Sequence, residues 1–159
     1  MPRLGGAEAI VTAARRLLSG GAVGDESLRE ASVGNPVPVR ARDGALHSWF
    51  VPIVLGESLA AFLQLMPDAT LMRFSSFQRR PGMREGLPAA ADWLDPTRIR
   101  ERASGAARVG ETAAEPMLTF DRNPDRLVWA VTLVSSSGAR ELYVAGETVY
   151  EPPTEGTFG

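Results

Sequence analysis

The chain contains no cysteine and no lysine. Without cysteine it can form no disulfide, thiol nucleophile, zinc–thiolate site or iron–sulfur cluster. Without lysine it cannot complete a Walker A loop, supply a kinase strand lysine or hold pyridoxal as a Schiff base. A single histidine and no Gly-x-Ser-x-Gly elbow leave little for a serine hydrolase. No apolar run nears the ~20 residues of a membrane span, and residues 1–18 have no cationic start leading into a long apolar stretch. The expected location is therefore the cytoplasm. The net charge of -2 gives no bulk attraction to nucleic acid or an anionic membrane. Arginine as the sole basic residue, beside abundant Ala, Gly and Pro, fits a GC-rich genome more simply than a guanidinium-specific function.

What is present is an internal correspondence. A shift of 80 residues lays residues 36–54 on residues 116–134. Pro36 then meets Pro116, Arg42 meets Arg122, Trp49 meets Trp129, Val51 meets Val131 and Val54 meets Val134. Asp43-Gly44 falls on Asn123-Pro124, one turn signal on another. The offset is about half the chain, as a tandem duplication requires.

Residues 7–18 carry Ala7, Ile10, Val11, Ala14, Leu17 and Leu18 at three- and four-residue steps, which predicts an amphipathic helix stopped by Ser19-Gly20-Gly21. Asp25 is a candidate cap for a short turn within residues 24–35. The period then becomes two. Strands are predicted at 37–42, 46–55, 59–66 and 71–77, the third with a short helix as the alternative. Pro52, which removes a ladder donor, predicts an edge or a bulge. In the second half Asp95-Pro96 is a helix start, and Ser104-Gly105 ends that helix. Residues 89–94 form a candidate preceding turn. Strands are predicted at 117–121, 127–135, 140–145 and 148–151. The expected fold class is α+β: two tandem repeats of helix plus antiparallel sheet, related by a pseudo-twofold. The expected division is 1–78 for the first repeat, 79–88 for an Arg/Pro/Gly linker, 89–152 for the second repeat and 153–159 for a flexible tail, in one compact whole.

The helix, the glycine-rich stop, the Trp129-Ala130-Val131 strand and the run Glu-Leu-Tyr-Val-Ala-Gly-Glu-Thr-Val-Tyr-Glu resemble PepSY-type and cystatin-like repeats, best over residues 106–152. The resemblance implies a non-catalytic module that regulates or inhibits peptidases or binds peptides, with no catalytic residues to carry over.

No catalytic or metal-binding residue and no cofactor are expected. His47 reads as a polar residue at a strand start, and Asp92 with Asp95 as helix-start carboxylates. The binding candidates are Trp93, the linker cations Arg79, Arg80 and Arg84, and the matched pair Trp49 and Trp129. Core filling is the plainer role for the matched pair, and a solvated loop for the three arginines. The expected partner is a protein or peptide, with no nucleic acid and no membrane, and with a homodimer left open. Alternatives are a small-ligand binder using the cleft between the repeats and a carboxylate-based enzyme.

Overall fold

Asp43 accepts a hydrogen bond from the Ala45 amide at 3.0 Å, and Gly44 takes φ 89°. Together they turn β2 (Val37–Arg40) into β3 (Leu46–Leu55), because a short acceptor side chain and a residue tolerant of positive φ close the reversal. A computed structural model describes residues 6–21, 28–78, 85–122 and 126–152 in this way. It is a mixed α+β structure with antiparallel strands in two five-stranded sheets. The chain divides into two compact units, Met1–Ala90 and Ala91–Gly159.

In the first unit α1 (Ala7–Ser19) precedes β1 (Ser32–Val33), β2, β3, β4 (Ser58–Leu65) and β5 (Leu71–Ser76). The order across the sheet is β1-β3-β4-β5, with β2 also on β3. Ile10 and Ala14, one turn apart, are buried against Val51, Ile53, Leu55, Leu63 and Leu65. The three- and four-residue spacing of α1 thus meets the two-residue spacing of β3 and β4. The opposite sheet face carries Phe50, Pro52 and Phe62, also buried, with the Phe50 and Phe62 rings stacked at 4.6 Å.

Pro52 lies in a central strand, between β1 and β4, rather than at an edge. Its carbonyl accepts from the Gly34 amide at 2.8 Å. In an antiparallel ladder a residue's N–H and C=O point to the same neighbour. The donor that Pro52 lacks would therefore point at residues 34–36, where β1 and β2 are interrupted. The sheet tolerates the proline because its neighbouring strand breaks there.

In the second unit α2 (Ala90–Leu94) and α3 (Pro96–Gly105) precede β6 (Thr112–Ala113), β7 (Met117–Phe120), β8 (Leu127–Ser135), β9 (Gly138–Ala145) and β10 (Thr148–Tyr150). Asp95 caps α3 by accepting from the Thr97 amide at 3.0 Å, with Pro96 in the first turn. Ile99 and Ala103 are the buried residues of α3, again one turn apart. The sheet order is β10-β9-β8-β6, with β7 also on β8.

The pairings of the two sheets correspond. Val37 opposite Phe50 and Pro38 opposite Trp49 have counterparts 80 residues later in Met117 opposite Ala130 and Leu118 opposite Trp129. Val33 opposite Ile53 likewise has a counterpart in Ala113 opposite Leu133. The register differs at bulges that the first sheet carries and the second does not: β2–β3 slips between Val39 and Arg40 and β4–β5 between Gln64 and Leu65, whereas β7–β8 and β9–β10 run without a slip. Ladder β3–β4 also slips between Ile53 and Val54, leaving Ala60 as an extra residue, whereas β8–β9 runs without a slip.

Residues 88–90 pair with the β3–β4 hairpin of the first unit. Leu59 N–H donates to Pro88 O at 2.8 Å and Ala90 N–H to Glu57 O at 2.9 Å. The segment expected as the end of the linker is therefore tied to that unit. Residues 79–84, the first part of the expected linker, and residues 153–159, the expected tail, lie outside the described residues, as does Asp25. Among the described residues no helix is long and apolar enough to cross a membrane.

Candidate functional site

Trp49 and Trp129 occupy the same register position on β3 and β8 and face the helix side of their own sheets. Trp129 is buried, and its indole N–H donates to the Trp93 carbonyl at 2.7 Å. Trp49 packs on the core of its unit, but its buried Nε1 has no acceptor among the described residues. Trp93 is half-buried and lies over the β9–β10 turn, where a Cβ on Gly146 would come within 3.2 Å of its ring. Arg102 holds the same corner: its guanidinium donates to the Asp92 carbonyl and, at 2.9 Å, to the Gly146 carbonyl. The three tryptophans thus meet structural neighbours in the places that binding anchors would occupy. Arg79, Arg80 and Arg84 lie outside the described residues.

His47 belongs to a polar chain that crosses three strands. Arg73 Nε on β5 donates to Gln64 Oε1 on β4 at 2.8 Å, and Gln64 Nε2 donates to Ser48 Oγ on β3 at 2.8 Å. Because arginine can only donate, it holds the Gln64 amide in the orientation that leaves Nε2 for serine. Ser48 Oγ in turn lies 2.9 Å from His47 Nδ1. That contact has the length of a serine–histidine dyad, yet Ser48 and Gln64 have no exposed surface. A nucleophile must reach a substrate carbonyl, so this serine serves to satisfy buried polar groups. The Arg73 guanidinium also lies 5.0 Å from the centre of the Phe62 ring, a favourable cation–π placement.

The corresponding face of the second unit carries a different polar group. Tyr150 on β10 donates to Asp121 Oδ2 at 2.7 Å, and Arg126 stands 3.8 Å from the same oxygen. Burial, then the hydrogen bond and charge of Asp121, push the Tyr150 phenol up to about 12. Tyr143, fully buried, meets Tyr150 edge to face at 5.7 Å.

A third cluster is electrostatic and structural. Arg140 on β9 makes a bidentate contact with Glu111, Nε to Oε2 at 2.7 Å and Nη2 to Oε1 at 2.9 Å, and also donates to the Ala106 carbonyl and to Glu151. The Arg140 hydrogen bond, helped by the Arg108 amide, holds the Glu111 carboxyl down at about 2. It fastens the α3–β6 loop to the sheet. Asp92 pairs with Arg98 and Arg102, and Asp95 is the α3 cap, so this pair acts as the ordinary helix-start carboxylates.

The accessible feature is the outer edge of β5. Among the described residues β5 pairs only with β4, and it is the longest of the outer strands, which are otherwise two to four residues. Outer strand β2 also carries Pro38. Met72 is the unpaired residue of a bulge, between Leu71 opposite Leu65 and Arg73 opposite Gln64. Such bulges re-aim a side chain. Met66, Leu71 and Met72 are 39, 37 and 38% exposed around this edge. Ala69, in the turn between β4 and β5, has φ 71°, a left-handed conformation uncommon for a residue with a side chain. The charge on β5, Arg73, is occupied by Gln64 and Phe62.

Sequence reasoning named none of Met66, Leu71, Met72, Ser48, Gln64, Asp121 and Tyr150. One signal was available: Gln64 interrupts an otherwise apolar run, Leu59–Ala60–Ala61–Phe62–Leu63 before it and Leu65 after it. No protein-family model, curated protein or solved structure matches the chain.

Proposed function

We propose that the chain is a non-catalytic protein- or peptide-binding module, and that an extended segment of a partner docks as an added strand on the outer edge of β5. The observation that carries this reading is that edge. It is six residues long, unpaired on its outer side among the described residues, and flanked by exposed Met66, Leu71 and Met72. Strand addition draws affinity from main-chain hydrogen bonds and selectivity from alternate side chains. Methionine suits it because a flexible thioether adapts to varied apolar contacts. Edges normally carry charge, proline or short length to discourage pairing, and here the arginine of the strand is turned onto its own sheet. The preferred partner is an extended segment with apolar residues at alternate positions.

The matched registers support a second element of the proposal: the two units are copies of one ancestral unit, helix followed by antiparallel strands. The order within each unit is compatible with the PepSY-type and cystatin-like resemblance, and a binding or inhibitory role is what that resemblance implies. The absence of exposed surface on Ser48 supports the non-catalytic reading.

The test uses the full chain immobilised against a random heptapeptide library, followed by titration of an enriched peptide into the isotope-labelled protein. Amide shifts should concentrate at residues 71–77. Phe77 N–H bonds Ala60 O, so alternation along the strand turns the main-chain groups of Phe74 and Ser76 outward. Ser76→Pro should therefore remove an outward donor, keep the unfolding midpoint within a few degrees and weaken peptide binding at least ~10-fold, about 1.4 kcal/mol. Shifts located elsewhere, or undiminished binding by Ser76→Pro, would refute the docking strand.

A further inference from the structure

Two buried oxygens in the second unit have no hydrogen-bond partner among the described residues: Thr119 Oγ1 and Asp121 Oδ1. Thr119 is 2% exposed and Asp121 is 4% exposed. The two are separated by one residue at the end of β7, so their side chains leave the same face of the strand, roughly 6.6 Å apart at the backbone. A buried carboxylate oxygen without a donor is among the most costly arrangements in a protein interior. The other oxygen of Asp121 is served by Tyr150 at 2.7 Å and faces Arg126 at 3.8 Å, which accounts for the charge but leaves Oδ1 bare.

We infer that one ordered water molecule bridges Thr119 Oγ1 and Asp121 Oδ1. Two hydrogen bonds of about 2.8 Å span up to ~5.6 Å, which suits two short side chains leaving one strand face about 6.6 Å apart at the backbone. The chemistry suits water. Asp121 Oδ1 needs a donor, Thr119 offers both a donor and an acceptor, and a buried water ordinarily makes about three such bonds. A metal ion suits the place less well. Among the described residues no three His, Cys, Asp or Glu side chains gather as metal ligands, and a guanidinium already faces the carboxylate. The water completes a chain from Thr119 through Asp121 to Tyr150, and so links the inner end of the β7 edge to β10 on the opposite edge of the sheet.

The sign of one substitution decides the matter. Thr119→Val keeps the shape and removes the hydroxyl. With a bridging water, Thr119→Val strips that water of a partner and lowers the unfolding midpoint by about 2–6 °C, while Thr119→Ser retains the hydroxyl and loses less than half as much. With no water, Thr119→Val deletes a buried orphan and leaves the midpoint unchanged or higher, which would overturn the inference. A high-resolution crystal structure of the wild-type chain should show density within hydrogen-bond distance of both oxygens, absent in Thr119→Val. Empty density, or a protein donor rotated onto Asp121 Oδ1, would also overturn it. Melting in sodium, potassium and ammonium chloride at equal ionic strength should give one midpoint, and a cation-specific rise would assign the place to an ion instead.

Discussion

Trp129 donates its indole N–H to the Trp93 carbonyl at 2.7 Å, whereas Trp49, at the matching position of the other sheet, buries the same N–H without an acceptor among the described residues. The two indoles are alike in register and opposite in polar satisfaction. Removing one partner of a buried hydrogen bond costs roughly 1–3 kcal/mol, while removing an orphan donor recovers a desolvation penalty. Trp129→Phe should therefore destabilise the chain by more than Trp49→Phe, by at least ~1 kcal/mol. Urea unfolding of the two variants measures the difference, and equal losses would refute the distinction.

Gly146 and Gly56 both sit in hairpin turns with left-handed backbones, at φ 60° and 62°. An added Cβ meets Trp93 at 3.2 Å in the first case and nothing within 4 Å in the second. Gly56→Ala should cost about 1–2 kcal/mol of backbone strain alone. Gly146→Ala should cost that and displace Trp93 as well, with a change in tryptophan fluorescence that Gly56→Ala does not produce.

The Glu111 carboxyl is held at about 2 by Arg140, against an ordinary value of 4.5. Folding therefore favours the ionised form. The stability this contributes is complete above about pH 4.5 and fades as pH falls toward 2. Glu111→Gln should flatten that part of the stability curve and lower the midpoint at neutral pH. Thermal melts between pH 6 and 2.5 test it, and an unchanged acid slope in the variant would count against the clamp.

The Tyr150 phenol, pushed up to about 12 by burial and by Asp121, works in the alkaline direction. The folded state holds its proton more tightly than the unfolded chain does, near 10. The corresponding stability is complete below about pH 10 and is lost as pH rises toward 12. Ultraviolet titration should show a late phenolic component that shrinks in Tyr150→Phe and moves to lower pH in Asp121→Asn. A late component left unchanged by Tyr150→Phe would refute the assignment.

Some of this was legible from local chemistry. Asp43-Gly44 and Ser136-Ser137-Gly138 mark turns because short acceptors and glycine accept reversed backbone. Asp95-Pro96 marks a helix start because the carboxylate caps orphan amides and proline loses nothing in the first turn. The two-residue alternation of residues 46–55 places Val51 and Ile53 on one face. Strands β1 and β6 escaped notice because two residues carry no period.

The sequence alone determined helices α1 and α3, most of the longer strands and their turns, and which registers in the two halves correspond, because those depend on neighbours a few residues apart. Only the tertiary structure decided that Pro52 is central, that Arg73, Gln64 and Ser48 form one chain, that Tyr150 reaches Asp121, and that β5 is left open at its edge. Those partners lie 9 to 29 residues apart along the chain. Whether a polar side chain is buried with a partner or an edge stays unpaired depends on which strands become neighbours, and strand neighbours are chosen by the packing of the whole sheet.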